Sequence, residues 1–144
     1  MNHTYQTHSA EETEQLGEQI AQQIQPGDVI AFTGDLGAGK TAFCRGMLLG
    51  FGYHGRVTSP TFTIVNEYET ERGRICHFDM YRILDEDALY DIGWEDYLDG
   101  EAILLIEWSE NISEALPPET ITVDIRHGTS ENERCIIITG GSIS

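Results

Sequence analysis

The eight residues Gly34-Asp35-Leu36-Gly37-Ala38-Gly39-Lys40-Thr41 constrain this chain more than anything else in it. They satisfy G-x-x-x-x-G-K-[ST], and their surroundings are what that pattern requires. The apolar run Val29-Ile30-Ala31-Phe32-Thr33 precedes them, and a helical spacing through Phe43, Met47 and Leu48 follows, closing near Gly50 and Gly52. A strand, a glycine-rich loop and a helix in that order let the backbone wrap phosphate groups. Successive N–H groups turn inward beside a helix N-terminus, where anions are favoured. The stretch Asp35, Leu36, Gly37, Ala38 and Gly39 is therefore the expected cradle. Lys40 places a cation on the outer phosphates, and the Thr41 hydroxyl suits Mg²⁺. Lys40 is the only lysine in the chain, so a guanine-reading Asn-Lys-x-Asp motif cannot exist and ATP is the expected nucleotide. Lys40 is expected to face the site rather than the core.

The charge balance limits the partners. Twenty-five Asp and Glu stand against eight Lys and Arg, a net charge of −17. So acidic a surface repels phosphate backbones, which argues against strong direct binding of nucleic acid and suits a partner with basic patches. Cys44, Cys76 and Cys135 lack CxxC spacing, and an odd, sparse count implies neither disulfides nor a zinc site. No apolar run approaches the roughly 20 residues of a membrane helix, and the polar, acidic N-terminus resembles no leader, so a cytoplasmic protein is expected. A length of 144 residues suits one domain, 1–144, with one core.

The remaining elements follow from periodicity. Ser9-Ala10-Glu11-Glu12 is a capping box, and Leu16, Ile20, Ala21 and Ile24 continue it as an amphipathic helix. A strand is expected over 61–69, turned at Glu71-Arg72-Gly73-Arg74 into a partner over 75–81, with short acidic helices over 85–98. Ala102-Ile103-Leu104-Leu105-Ile106 reads as a strand buried on both faces. After Pro117-Pro118, the segments 120–126 and 134–139 form a second hairpin. The expected fold is α/β: a single P-loop NTPase domain, its mixed sheet having parallel core strands and antiparallel hairpins at the edge.

A P-loop enzyme also needs an acid at the end of a neighbouring buried strand. Glu107 ends the apolar run and is assigned to Mg²⁺ with Thr41, directly or through water. Asp79 ends Ile75-Cys76-His77-Phe78, whose alternation reads as a half-exposed antiparallel strand, and either supports the metal site from behind or orients water, a catalytic role shared with Lys40. Thr58-Ser59-Pro60-Thr61 is either a γ-phosphate sensor or a plain turn. His77 belongs either to a polar cluster around Asp79 or to the core. Trp108 either packs near the nucleotide or closes a core strand.

In series, the P-loop, Ser59-Pro60-Thr61-Phe62-Thr63 with Glu67-Tyr68, His77-Phe78-Asp79-Met80-Tyr81-Arg82, and Ile106-Glu107-Trp108 resemble the TsaE (YjeE) family, over about residues 9–134. That family is the bacterial ATPase of tRNA threonylcarbamoyladenosine biosynthesis. The resemblance implies a weak, partner-stimulated, Mg²⁺-dependent ATPase working with TsaB and TsaD, which act at adenosine 37 of tRNAs reading ANN codons. It places Mg²⁺ on Thr41 and Glu107, carries the motif aspartate onto Asp79, and brings Thr13 and Arg134 to the nucleotide. Ala42 and Ser109 depart from the family pattern, where a second Thr and a Pro are common. The alternative, a small-molecule kinase, needs a lid and basic clamps that few arginines here could build.

Overall fold

Ser9 caps the first helix as the sequence requires. Its backbone is extended, with φ −156°, and its hydroxyl accepts a hydrogen bond from the Glu12 N–H at 3.1 Å. The return half of the box lands one residue early: Glu12 accepts from the His8 N–H at 3.0 Å. The helix, α1, runs Ala10–Ala21, so Ile24 lies beyond it, though fully buried. These elements belong to a computed structural model that describes residues 2–34, 38–55, 65–80, 83, 86–98 and 100–140.

A strand precedes α1: β1, Asn2–Thr7, which polar composition had concealed. After α1 come β2 (Val29–Gly34), α2 (Ala38–Gly50), β3 (Val65–Thr70), β4 (Gly73–Asp79), α3 (Glu86–Asp91) and α4 (Trp94–Tyr97). β5 (Ile103–Glu107), a 3₁₀ segment (Ser109–Ala115), β6 (Ile121–His127) and β7 (Arg134–Thr139) complete the order. The sheet has seven strands in the order β1-β7-β6-β2-β5-β4-β3. β2 lies parallel to both β5 and β6, and β4 parallel to β5; β3 and β4, β6 and β7, and β1 and β7 pair antiparallel. The expected first half of β3, 61–64, falls outside the described residues.

Alternation along the central strands feeds two cores. Ile30, Phe32, Ile75, Ile103 and Leu105 face α1 and α2, packing with Leu16, Ile20, Phe43, Met47 and Leu48. Val29, Cys76, Phe78, Leu104 and Ile106 face the other way, against Met80, Leu89, Trp94 and Ile112. This corrects the reading of β4 as half-exposed. It lies inside the sheet between β3 and β5, and Ile75, Cys76, His77 and Phe78 are all buried. Its alternation separates two buried layers rather than core from solvent. Of the two hairpins, only the first reaches an edge, because β1 covers the second.

Helices α1 and α2 approach closely enough that three glycines have no room for a side chain. A Cβ on Gly17 would meet the Phe43 carbonyl oxygen, and one on Gly46 would meet the Glu14 carbonyl oxygen. On Gly50 it would lie 2.6 Å from the Ala21 Cβ and 2.7 Å from the Glu18 oxygen. Backbone thus rests on backbone, and α2 is held where its N-terminus meets the end of β2.

Candidate functional site

Because β2, β4, β5 and β6 run parallel, their C-terminal ends share one edge of the sheet. Ligand sites of open α/β sheets lie at such an edge. Gly34 closes β2, Asp79 closes β4 and Glu107 closes β5, the last two being register partners. Gly34 is required twice over. Its φ of 102° lies in the left-handed region, and a Cβ would meet the Ile125 carbonyl oxygen and, at 2.9 Å, Asp124 Oδ1. Asp35, Leu36 and Gly37 lie outside the described residues, as do 56–64 with the Thr58–Thr61 segment, and Tyr81 and Arg82.

Beyond that gap, α2 begins at Ala38, with Lys40 and Thr41 in its first turn. Lys40 is only 4% exposed, so its ammonium is shielded from solvent rather than free at the surface. Its ammonium lies 5.8 Å from the centroid of the Trp108 ring, within reach of the negative face. Among the described residues it forms no ion pair. A buried cation over a π-face, with no ion pair among the described residues, is an arrangement that an anion completes. Trp108 has the left-handed φ of 59°, strained for a bulky side chain. The next residue braces it: the Ser109 hydroxyl donates to the Phe32 carbonyl at 3.0 Å, tying the exit of β5 to the strand that leads into the P-loop. The departure at position 109 thus supports the site's framework.

Glu107 is mostly buried and accepts from His77 Nε2 at 2.7 Å through Oε2. His77 is therefore in the core, as one reading had it, yet its partner is Glu107. Cys44, one turn beyond Lys40 on α2, touches the same ring, its Sγ 3.9 Å from Nε2. Burial pushes the Cys44 thiol well up, Glu107 adds to this and Lys40 opposes it, so Cys44 remains protonated. Asp79 is half-buried at the end of β4, and the Met80 N–H donates to the Glu107 carbonyl at 3.0 Å, fixing the two strand ends together.

Thr13 and Arg134 meet at the other side of α2. They line one cleft together with Ser9, Gly39, Ala42 and Asn132. A Cβ on Gly39 would lie 3.2 Å from Arg134 Nε, so the guanidinium group rests against the first turn of α2. Arg134 also donates to the carbonyls of Glu131 at 2.7 Å and Glu133 at 3.0 Å. The buried Thr13 hydroxyl shares a 2.6 Å hydrogen bond with that of Thr7 in β1. The structure thus gathers Thr13, Gly39 and Arg134 on one flank, and Lys40, Glu107 and Asp79 on the edge formed by α2, β5 and β4.

Sequence reasoning missed Asp124. It accepts from the Thr33 hydroxyl at 2.8 Å and from Arg126 Nε at 2.8 Å, bracing the last turn of β2 before the loop. Burial alone would raise its pKa, but the Arg126 and Thr33 hydrogen bonds and the charges of Arg126 and Lys40 outweigh it, and the carboxyl is held below the ordinary value. The stabilisation from this shift is complete above the unfolded pKa of about 3.9 and disappears as pH falls through the lower folded value. Asp124→Asn is accordingly expected to unfold at lower urea than the parent at pH 7, with the gap narrowing below about pH 4. Urea midpoints across pH 3–7 check this, and a gap that stays constant contradicts it. The sequence clue was Asp124 and Arg126 standing two apart in an alternating segment, hence on one face, but Thr33 comes opposite only once register is known.

Strand, loop and helix at the edge of a partly parallel sheet, with the lysine and an acid from the adjoining strand, define a P-loop fold of the mixed α/β class. The family model described as threonylcarbamoyl adenosine biosynthesis protein TsaE matches residues 7–136, and the chain belongs to that family. Among its relatives is the tRNA threonylcarbamoyladenosine biosynthesis protein TsaE of Rickettsia felis, 40% identical over 135 residues, covering 93% of this chain and 78% of that one. The protein of the same description from Bacillus subtilis is 39% identical, covering 94% of this chain and 84% of the other. The crystal structure of Bacillus subtilis YdiB superposes with a TM-score of 0.80 at 34% identity, covering 97% of this chain and 86% of that one. No helix among the described residues is long and apolar enough to cross a membrane.

Proposed function

We propose that this chain binds ATP with Mg²⁺ at the α2 N-terminus, hydrolyses it slowly, and serves threonylcarbamoylation of adenosine 37 in tRNAs reading ANN codons, together with TsaB and TsaD. The observation that carries the nucleotide reading is Lys40: a buried ammonium in the first turn of α2, paired with no carboxylate among the described residues. Thr41 and Glu107 supply the hard oxygen donors that Mg²⁺ prefers, and Glu107 Oε1 has no partner among the described residues. Bound there, Mg²⁺ would offset phosphate charge. Asp79, at the end of the next parallel strand, would orient water, and Thr13 and Arg134 would approach the nucleotide. The tRNA role rests on family membership. The net charge of −17 supports a division in which the partners hold the RNA.

A cation supplied to the transferring phosphoryl group is worth about 10³–10⁵ in rate. Arg134 lies against Gly39 and is engaged by carbonyls, so hydrolysis by the chain alone is expected to be slow and the partners to accelerate it. Reconstitution tests the reading. Threonylcarbamoylation of a tRNA transcript by TsaB and TsaD should depend on this chain and on ATP. Turnover that is equally complete without the chain would overturn it.

The two acids separate by assay. Glu107→Gln is expected to weaken Mg²⁺-dependent ATP binding by more than about tenfold, whereas Asp79→Asn keeps binding and loses turnover. Nucleotide titrations with Mg²⁺ and with EDTA, beside single-turnover hydrolysis, check both. The reverse pattern would exchange the roles.

A further inference from the structure

Alternation along β4 puts His77 on the face that carries Ile75, under α2, at 2% exposure. Burying an imidazole there costs desolvation that an apolar residue would avoid. Its contacts say what it does. Nε2 lies 2.7 Å from Glu107 Oε2, and Nδ1 has no partner among the described residues. A neutral ring facing a carboxylate must carry its proton on Nε2, because a lone pair there would face another lone pair. That tautomer leaves Nδ1 as a bare acceptor, which needs no donor as strictly as an orphaned N–H needs an acceptor. The same Nε2 edge lies 3.9 Å from Cys44 Sγ. Cys44 follows Lys40 by four residues, on the same side of α2. The ring therefore stands between the first turns of α2 and the end of β5.

We propose that His77 is the positioning residue for Glu107. Its Nε2–H holds Oε2 in one rotamer, leaves Oε1 for the metal, and, by bearing on Cys44, sets the spacing between that carboxylate and the turn that carries Lys40 and Thr41. This deepens the assignment of Glu107 to Mg²⁺ and rests on it. Outer partners of metal ligands are typically worth 10–100-fold in metal affinity.

The test uses His77→Gln, whose amide N–H reaches the Nε2 position, and His77→Asn, equally polar but too short. Calorimetry gives the Kd for Mg²⁺ at saturating ATP, and ATP affinity in EDTA and thermal stability are measured beside it. His77→Asn is expected to lose about 10–100-fold in Mg²⁺ affinity and His77→Gln no more than about threefold, with ATP binding in EDTA unchanged in both. In a Glu107→Gln background, His77→Asn should cost nothing further. Parent-like Mg²⁺ affinity in His77→Asn, parallel loss of ATP binding in EDTA, or equal loss in the Gln and Asn variants would overturn the positioning role. Unchanged Mg²⁺ affinity in Glu107→Gln alone would instead remove the metal assignment beneath it.

Discussion

Lys40→Met is expected to abolish measurable nucleotide binding while the protein still folds. Methionine keeps the apolar stem that packs in the first turn of α2 and removes only the ammonium over Trp108. Truncating one partner of a desolvated charge pair costs about 2–5 kcal/mol, so affinity should fall by at least about thirtyfold. Removing the buried charge without nucleotide present should leave stability equal or slightly raised, because an incompletely compensated cation no longer has to be desolvated. Equilibrium binding of a fluorescent ATP analogue, beside a thermal melt, checks both halves. Parent-like affinity would sink the phosphate assignment.

The second large effect is on the fold that supports the site. Alanine for glycine inside a helix ordinarily stabilises it by about 1 kcal/mol. At Gly46 the sign should reverse. The new Cβ would be driven into the Glu14 carbonyl oxygen, backbone that no rotamer change can move. Overpacking of this kind costs about 1–3 kcal/mol, so Gly46→Ala should lower the Tm by several degrees. Because α1 carries Thr13 and α2 carries Lys40, separation of the helices should also weaken ATP binding. A Tm equal to or above the parent's would show that α1 and α2 do not pack as closely as described.

These two residues also mark where sequence was readable and where it was not. The glycines of the P-loop were legible because a strand and a helix flank them, and the order of elements is local information. Gly17, Gly46 and Gly50 carry no such label: their need for glycine arises from a helix crossing that brings distant backbone together. Glu107 was legible as the end of a fully apolar run, and its strand does pair parallel with β2. His77 was left between a polar cluster around Asp79 and the core, since alternation gives a side of the sheet and says nothing about which strand lies next. The same gap produced the error on β4. The alternation about His77 looks like a solvent face until β4 is known to lie between β3 and β5 with both of its faces buried. Strand β1 escaped because Asn2–Thr7 is polar and is held at an edge by pairing with β7 alone. Asp124 escaped for the related reason that Thr33 becomes its neighbour only through register.

The location of the nucleotide and its metal is the claim on which the rest depends, and paramagnetic broadening tests it directly. The isotope-labelled chain, saturated with ATP, is titrated with substoichiometric Mn²⁺ in place of Mg²⁺ while backbone amides are followed. Broadening should be strongest at Thr41 and Glu107, weaker at Gly39 and Asp79, and absent from the acidic helices α3 and α4. Broadening centred on those acidic helices, or none near Thr41 and Glu107, would contradict the account.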